Sequence, residues 1–304
     1  HADALLGEGT DSAVRIEPST SPRVARSADQ HPASFALPDE RIDYVLELRA
    51  SRPIAAHEFF FGWAPSEHRF AQRALFAGQS DGQWRALPRE GDFTRIRAAL
   101  QLVNRRGLVN EGELLGFRSE LETLSARIGA TVEAPEMKQA LDRGRALDAV
   151  CAETDIQVVI HVVPSVPGPF PREEVRKVAE SAGLQPETDG RFVLRGPDNH
   201  ERFCLYDRSG AALAPGAHLD DTVQALTLAM DVPRAPETAR SFGSMTLLAR
   251  DLAAALHGRL VDDNDRPLDE QALAAIGQQL EPVRAQLEAQ GIAPGSALAL
   301  RLFS

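Results

Sequence analysis

The chain has 304 residues, a formal charge of -11 and a pI near 5.3. That length suits two domains of ordinary size, and the acidic balance excludes a protein that coats nucleic acid, which needs a net basic face. Two cysteines, Cys151 and Cys204, are too few for a disulfide framework or a zinc knuckle and point to a reducing compartment. No run of about 20 apolar residues and no signal peptide is visible. The chain starts at His1 without a Met, so it reads as a fragment.

Residues 1–38 are rich in Ser, Pro, Ala and charge, with no sustained apolar period, and read as a flexible linker. At Arg41 the text changes to "RIDYVLEL", whose alternation marks a strand and the start of a first module over 39–152. The aromatic cluster "HEFFFGW", His57 to Trp63, is expected in the core or at a contact between domains, not in a partner groove.

A second module spans 153–304. "DIQVVIHVV" predicts a strand, and "FPREEVRKVAESAG" a helix with Pro171 in its first turn and Gly183 at its end. "GRFVLRG" and "ERFCLYD" are strands joined by the turn "PDNH"; "QALTLAMDVP" is a strand stopped by Pro233. The helix "SMTLLARDLAAALHG", the strand "RLVD", a long helix from Asp269 and a last strand "SALALRLF" complete the module. The pattern implies an α+β fold, with helices packed on one face of an antiparallel sheet.

Between the last two helical segments lies "VDDNDRPLDE". A calcium loop needs Gly at its sixth position and a bidentate Glu at its twelfth. From Asp262 those positions hold Pro267 and Leu273, and from Asp263 they hold Leu268 and Ala274, so the spacing rejects calcium. The stretch reads as a turn, with Asp269 capping a helix whose apolar residues recur at Leu273, Ile276, Leu280, Val283 and Leu287.

The first module repeats this plan. "IDYVLELRASRPI" aligns with "IQVVIHVVPSVPG", and "RAALQLVN" with "QALTLAMD". In each half a helix ends at a Gly (Gly129, Gly258), followed by a short strand, an acidic turn with Pro (Pro135, Pro267) and a further helix. We read the chain as a degenerate duplication, the acidic turn serving as a joint in both halves.

The order and spacing of "AGL", "GRFVLRG", "RFCLYD", "APGAHLD", "TLAMDVP" and "GRLVDDNDRPL" give residues 155 to about 290 their identity: this stretch resembles the C-terminal domain of the ZipA family of cell-division proteins. The resemblance implies a six-stranded antiparallel sheet, backed by helices on one side and bare on the other. It also implies a single membrane helix upstream of this fragment, placing the chain on the cytoplasmic side of the inner membrane. The implied partner is the C-terminal tail of FtsZ, or another divisome peptide, held in a shallow groove on the bare face.

Strand alternation assigns the residues of that face. They are Gln157, Val159 and His161 on the first strand, Arg191 and Val193 on the next, Cys204, Tyr206 and Arg208, and then Thr227, Ala229 and Asp231. Partner contact is expected at Gln157, Val159, His161, Arg191, Val193, Tyr206, Arg208, Thr227 and Ala229. Where the family's groove carries large apolar residues, this sequence has Arg191, Arg208 and Ala229. The tail would lie across Val159, Val193, Tyr206 and Ala229, with the two arginines pairing its acidic residues.

Catalysis is not expected. Cys204, His161 and Asp231 share the face, but a reactive Cys sits at a helix start or loop rather than inside a strand. The eight histidines lack metal-ligand spacing, "GEGTDS" is not a nucleotide loop, and "GRFVLRG" has one aromatic where RNA-binding strands need more. No cofactor is implied. The expected function is a non-enzymatic division adaptor; the alternative is a peptide- or small-molecule-sensing module with ligand between the two repeats.

Overall fold

The computed structural model describes residues 36–213 and 222–304. Residues 1–35, which hold most of the expected linker, and the "APGAHLD" turn at 214–220 lie outside the described residues. The described residues form two compact units, one of 36–155 with 289–304 and the other of 156–288.

In the first unit, β1 (Asp43–Ala55) leads into α1 (Ala56–Phe70), β2 (Ala74–Ser80), β3 (Gln83–Ala86) and β4 (Asp92–Gln101). A small hairpin of β5 (Val103–Asn104) and β6 (Gly107–Leu108) precedes α2 (Glu111–Ile128), β7 (Ala130–Glu133) and α3 (Met137–Thr154). The sheet order is β3-β2-β4-β1-β7, with the pairings antiparallel. Period-two alternation sends Tyr44, Leu46 and Leu48 into the core. There they join the "HEFFFGW" aromatics: Trp63 stacks on Phe70 and meets Phe76 and Phe117 edge-on. Phe59 and Trp63 are thus core residues, as expected of that cluster, while Phe61 points outward at 86% exposure. Helix α2 starts at a capping box, in which Asn110 accepts from the Glu113 amide and Glu113 from the Asn110 amide, both at 2.9 Å. It stops at Gly129, whose φ of 72° places it in the left-handed region.

The second unit contains β8 (Gln157–Pro164), β9 (Phe170–Pro171), α4 (Arg172–Ser181), β10 (Gln185–Pro186), β11 (Phe192–Arg195) and β12 (Glu201–Asp207). Next come β13 (Thr222–Val223), β14 (Leu226–Asp231), α5 (Thr238–Ala255), β15 (Gly258–Val261) and α6 (Glu270–Ala289). Six strands lie in the order β10-β11-β12-β14-β8-β15, all antiparallel. The core is built from Val158, Ile160, Phe192, Phe203, Leu205, Leu228 and Met230, covered by Val175 of α4, Met245 and Leu252 of α5, and Ile276 and Leu280 of α6. The α5–β15 junction differs from its counterpart in one respect. His257 takes the left-handed conformation (φ 52°), not Gly258. Gly258 is small because a Cβ there would come within 3.0 Å of Val162 and of the Val163 carbonyl oxygen.

The two units share β-strand, helix, strand, helix in the same order around a central strand: β4-β1-β7 with α2 and α3, and β14-β8-β15 with α5 and α6. They differ at the other edge. In the second unit β11, β12 and β14 follow one another as a meander. In the first unit the hairpin is attached through β2, so that β3 lies outermost and the chain crosses back to β4.

The expected last strand "SALALRLF" is a helix, α7 (Ala297–Leu302). Its Ala-Leu alternation imitates a strand, but it has no β-branched residue, and Ser296 caps it by accepting from the Ala299 amide at 3.2 Å. It does not close the second unit either: Ala289–Ser304 belong to the first. The attachment is a buried ion pair, with Arg301 donating to Asp43 at 2.5 and 3.0 Å, while Gln101 donates to the Arg301 carbonyl at 2.9 Å. The Asp43 side chain is 0% exposed and that of Arg301 12%.

Removing one partner of a buried ion pair strands the other charge, at a cost of about 3 kcal/mol. Arg301→Ala is therefore expected to destabilise the first unit by about that amount in urea. Both tryptophans, Trp63 and Trp84, lie in this unit, so tryptophan fluorescence isolates its transition. Lys138→Ala, which removes an exposed i,i+4 pair with Asp142, should leave the midpoint in place. Equal effects from the two substitutions would contradict this assignment.

Candidate functional site

Helices α4, α5 and α6 cover one face of the second sheet, and the residues that alternate away from them make the other. Register places Val193 opposite Cys204, Cys204 opposite Ala229, and Ala229 opposite Val159. The four form one row across β11, β12, β14 and β8. The next row runs Tyr206, Thr227, His161, with Val261 of β15 beyond it. Gln157 pairs with Asp231 at the far end of β8 and β14.

The structure thus brings the nine expected contact residues to one side of the sheet, with two of them off the strands. Arg191 precedes β11 and Arg208 follows β12. Val193, Cys204 and Ala229 form a small apolar cluster of their own, with Val159 and Tyr206 packed against it. This cluster is distinct from the core under the helices. Val193, Cys204, Ala229, Thr227, His161 and Arg191 are buried, Gln157, Val159 and Tyr206 half-buried, and Arg208 exposed.

Charge on this face is already engaged within the chain. Arg191, buried beside the apolar row, donates to Asp189 at 2.7 Å and approaches Glu201 at 3.6 Å. Burial alone would lower its pKa, yet Cys204, Glu201 and Asp189 around it outweigh that and raise it. Arg208 pairs with Asp265 at 2.7 Å. Both arginines, expected to be open for a partner's carboxylates, have carboxylates of their own. Burial pushes the Tyr206 hydroxyl pKa above its ordinary value, so it stays a neutral hydrogen-bonding group.

The acidic turn supplies part of that engagement. Asp262 holds the turn, accepting from the Asn264 and Arg266 amides at 2.8 Å each, and its own amide donates to the Arg266 carbonyl at 2.9 Å. Asp265 sits at the bend with φ 58°. Asp269 caps α6 by accepting from the Ala272 amide at 2.8 Å. Two more carboxylates of the turn reach this face: Asp265 to Arg208, and Asp263 to His161 Nε2 at 3.0 Å. The other ring nitrogen of His161 meets the Thr227 hydroxyl at 2.9 Å. The Asp263 carboxylate accepts from Nε2, and the Thr227 hydroxyl can donate to Nδ1 or accept from it.

With both ring nitrogens engaged, His161 has none left to activate Cys204, whose thiol donates to the Ala229 carbonyl within the ladder at 3.7 Å. The other cysteine, Cys151, is held as a thiol, its pKa pushed up to about 12 by burial and by Asp148 and Asp155. No group of three His, Cys, Asp or Glu able to hold a metal occurs among the described residues.

Sequence reasoning found the face but missed its carboxylates. Asp263 and Asp265 are 102 and 57 positions from their partners, and nothing local in the sequence signals either pairing. Asp189, two residues before Arg191, was the one detectable partner.

Asp262→Ala removes an acceptor shared by two amides and is expected to destabilise the second unit by about 1–2 kcal/mol. Loss of the Asp263 and Asp265 contacts should follow, seen as faster amide exchange through 262–268. Millimolar calcium should leave the thermal midpoint of the wild type unchanged. Calcium stabilisation abolished by Asp262→Ala would instead make the turn a cation site.

Among curated proteins, none matches the sequence of this chain. Residues 156–279, from the start of β8 into α6, match the family model described as ZipA, C-terminal FtsZ-binding domain. The match coincides with the unit that carries the six-stranded sheet. The second unit of this chain is thus similar to the C-terminal, FtsZ-binding domain of ZipA.

Proposed function

We propose that the chain is a non-enzymatic cell-division adaptor whose second unit docks the C-terminal tail of FtsZ on the open face of its sheet. The observation that carries this reading is the separate apolar row Val193, Cys204, Ala229 and Val159, with Tyr206 at its side, inside the segment that matches an FtsZ-binding domain. A tail segment laid across this row would bury apolar side chains against Val159 and Tyr206, the half-buried members, with Gln157 and His161 as polar neighbours. Thr227 lies between Tyr206 and His161 and holds the His161 ring, so its contribution is to orient rather than to contact.

The charges act differently from a simple basic rim. To pair with an acidic residue of the tail, Arg208 must share its guanidinium with Asp265 or release it. Such an exposed exchange contributes at most about 1 kcal/mol and is screened by salt. Arg191, enclosed by Asp189 and Glu201, serves to hold the end of the row and not to capture a ligand. Affinity therefore rests on a few small apolar contacts.

Two further parts complete the reading, one from the family resemblance and one from the internal repeat. The adaptor would be tethered to the inner membrane, as the family resemblance implies; no described helix is long and apolar enough to cross a membrane. The first unit, with its shared strand and helix order, would be a degenerate copy of the second.

A fluorescent peptide of the cognate FtsZ tail should bind the chain and be displaced by unlabelled peptide. Tyr206→Ala and Val159→Glu should each weaken it about tenfold or more, as substitutions at an interface centre do. Arg208→Glu should weaken it less and flatten its salt dependence. Phe61→Ser, on the exposed side of the first unit, should have no effect. Wild-type affinity in both Tyr206→Ala and Val159→Glu would remove the open face from consideration.

A further inference from the structure

The first unit also has a sheet face turned away from its helices α1 and α2, and its chemistry is different. Register sets Val45 opposite Ala99, Glu47 opposite Arg97 and Arg49 opposite Arg95. Gln79 of β2 stands opposite Trp84 of β3. At the centre is Glu47, its side chain only 12% exposed. It accepts from Arg49 Nε at 2.9 Å, from Arg95 Nε and Nη2 at 2.8 and 2.5 Å, and from Arg97 Nε at 3.4 Å. Three guanidinium groups therefore share one carboxylate. Their influence holds the Glu47 pKa below its usual value although burial, the largest single effect, works the other way.

Arg49 has a second partner in Glu133 at 2.9 Å. On β4, Arg95 also gives Nη1 to Gln79 at 2.9 Å, and Arg95 and Arg97 flank the Trp84 ring, their guanidinium carbons 5.4 and 4.3 Å from its centroid. A cavity of about 350 Å³ adjoins this cluster, lined by Arg97 and Arg143 and by the carboxylates of Glu40, Glu47 and Glu133, the last already paired with Arg49. Arg143 gives Nη2 to the Asp43 carbonyl at 3.0 Å, but its buried Nε has no hydrogen-bond partner. A buried unsatisfied donor beside a cavity calls for an acceptor.

We propose that this face binds an acidic peptide segment of a partner protein, in extended form. Charge complementarity names the occupant. Arg95 and Arg97 are two residues apart on one strand, so their side chains project on the same side at a spacing of about 6.6 Å. An extended chain with carboxylates at alternate positions presents its acidic groups at the same interval. One carboxylate takes the place of Glu47 on the outer guanidinium edges, and the Trp84 ring supplies a flat apolar support for the stems between them. A second carboxylate entering the cavity can accept from Arg143 Nε. Long polyanions fit poorly, because the chain as a whole carries -11 and repels them beyond the patch.

The test is fluorescence anisotropy with a labelled decapeptide of alternating Glu and Ser, titrated with the full chain at low salt. The expected result is saturable binding that weakens as salt is raised. The double substitution Arg95→Ala with Arg97→Ala should weaken it at least about tenfold, two charge-assisted contacts being lost. Glu47→Gln removes the internal competitor and should tighten binding severalfold, an effect that partial unfolding cannot imitate. Far-UV circular dichroism reports whether each variant keeps its fold. Three outcomes overturn the proposal: no binding of the wild type, wild-type affinity in the Arg95 and Arg97 variant, or weaker binding in Glu47→Gln. Equal competition by free glutamate would make this a small-anion site instead, and tighter binding of a ten-nucleotide oligothymidylate would make it a nucleic-acid site. Either result also rejects the proposal.

Discussion

A sheet that carries its helices on one face leaves the other face with an unsettled account of side chains. Each strand of the two main sheets places about half of its residues there, because the side-chain period of a strand is two. Burying the apolar set under α1 and α2, or under α4, α5 and α6, fixes register, and register in turn dictates which residues are thrown together on the opposite side. The composition of these faces is therefore the consequence of core formation on which function rests.

The two units resolve the same constraint in different ways. The second places small apolar residues in a row, Val193, Cys204, Ala229 and Val159, and confines charge to the margins. Its arginines are quenched by neighbours: Arg191 by Asp189 and Glu201, and Arg208 by Asp265. The first gathers Arg49, Arg95 and Arg97 around Glu47 beside Trp84. A face of the first kind selects for shape and apolar contact and tolerates salt. A face of the second kind selects for charge and loses strength as salt rises. Similar strand orders thus present unlike surfaces. The acidic turn after β15 bears on this contrast, since its Asp263 and Asp265 reach round to His161 and Arg208 and trim the polar edge of the apolar row.

Much of this could be read from the sequence wherever periodicity and local capping rule. Val158, Ile160 and Val162 alternate cleanly with Gln157, Val159 and His161, so the open face of β8 was assignable residue by residue. Asp269 as the cap of α6 followed from its position before an apolar 3.6-residue repeat. Reading failed where two periods coincide: "SALALRLF" alternates like a strand, yet its Ala, Leu and Arg are strong helix formers, and a Ser cap decides for α7. It failed again where the determinant is remote. The pairing of Asp43 with Arg301, 258 residues apart, takes the C-terminal segment to the first unit, and no local pattern announces it. The carboxylates that engage Arg208 and His161 were illegible for the same reason.

Backbone amide shifts on titration with the FtsZ tail peptide test most directly whether the row Val193, Cys204, Ala229 and Val159 is where the second unit docks a partner. The account predicts perturbations that follow β11, β12, β14 and β8, strongest at Val193, Cys204, Tyr206, Ala229 and Val159, with α5 and α6 little changed. Perturbations centred on α5 or α6, or a spectrum unaltered by saturating peptide, would contradict it.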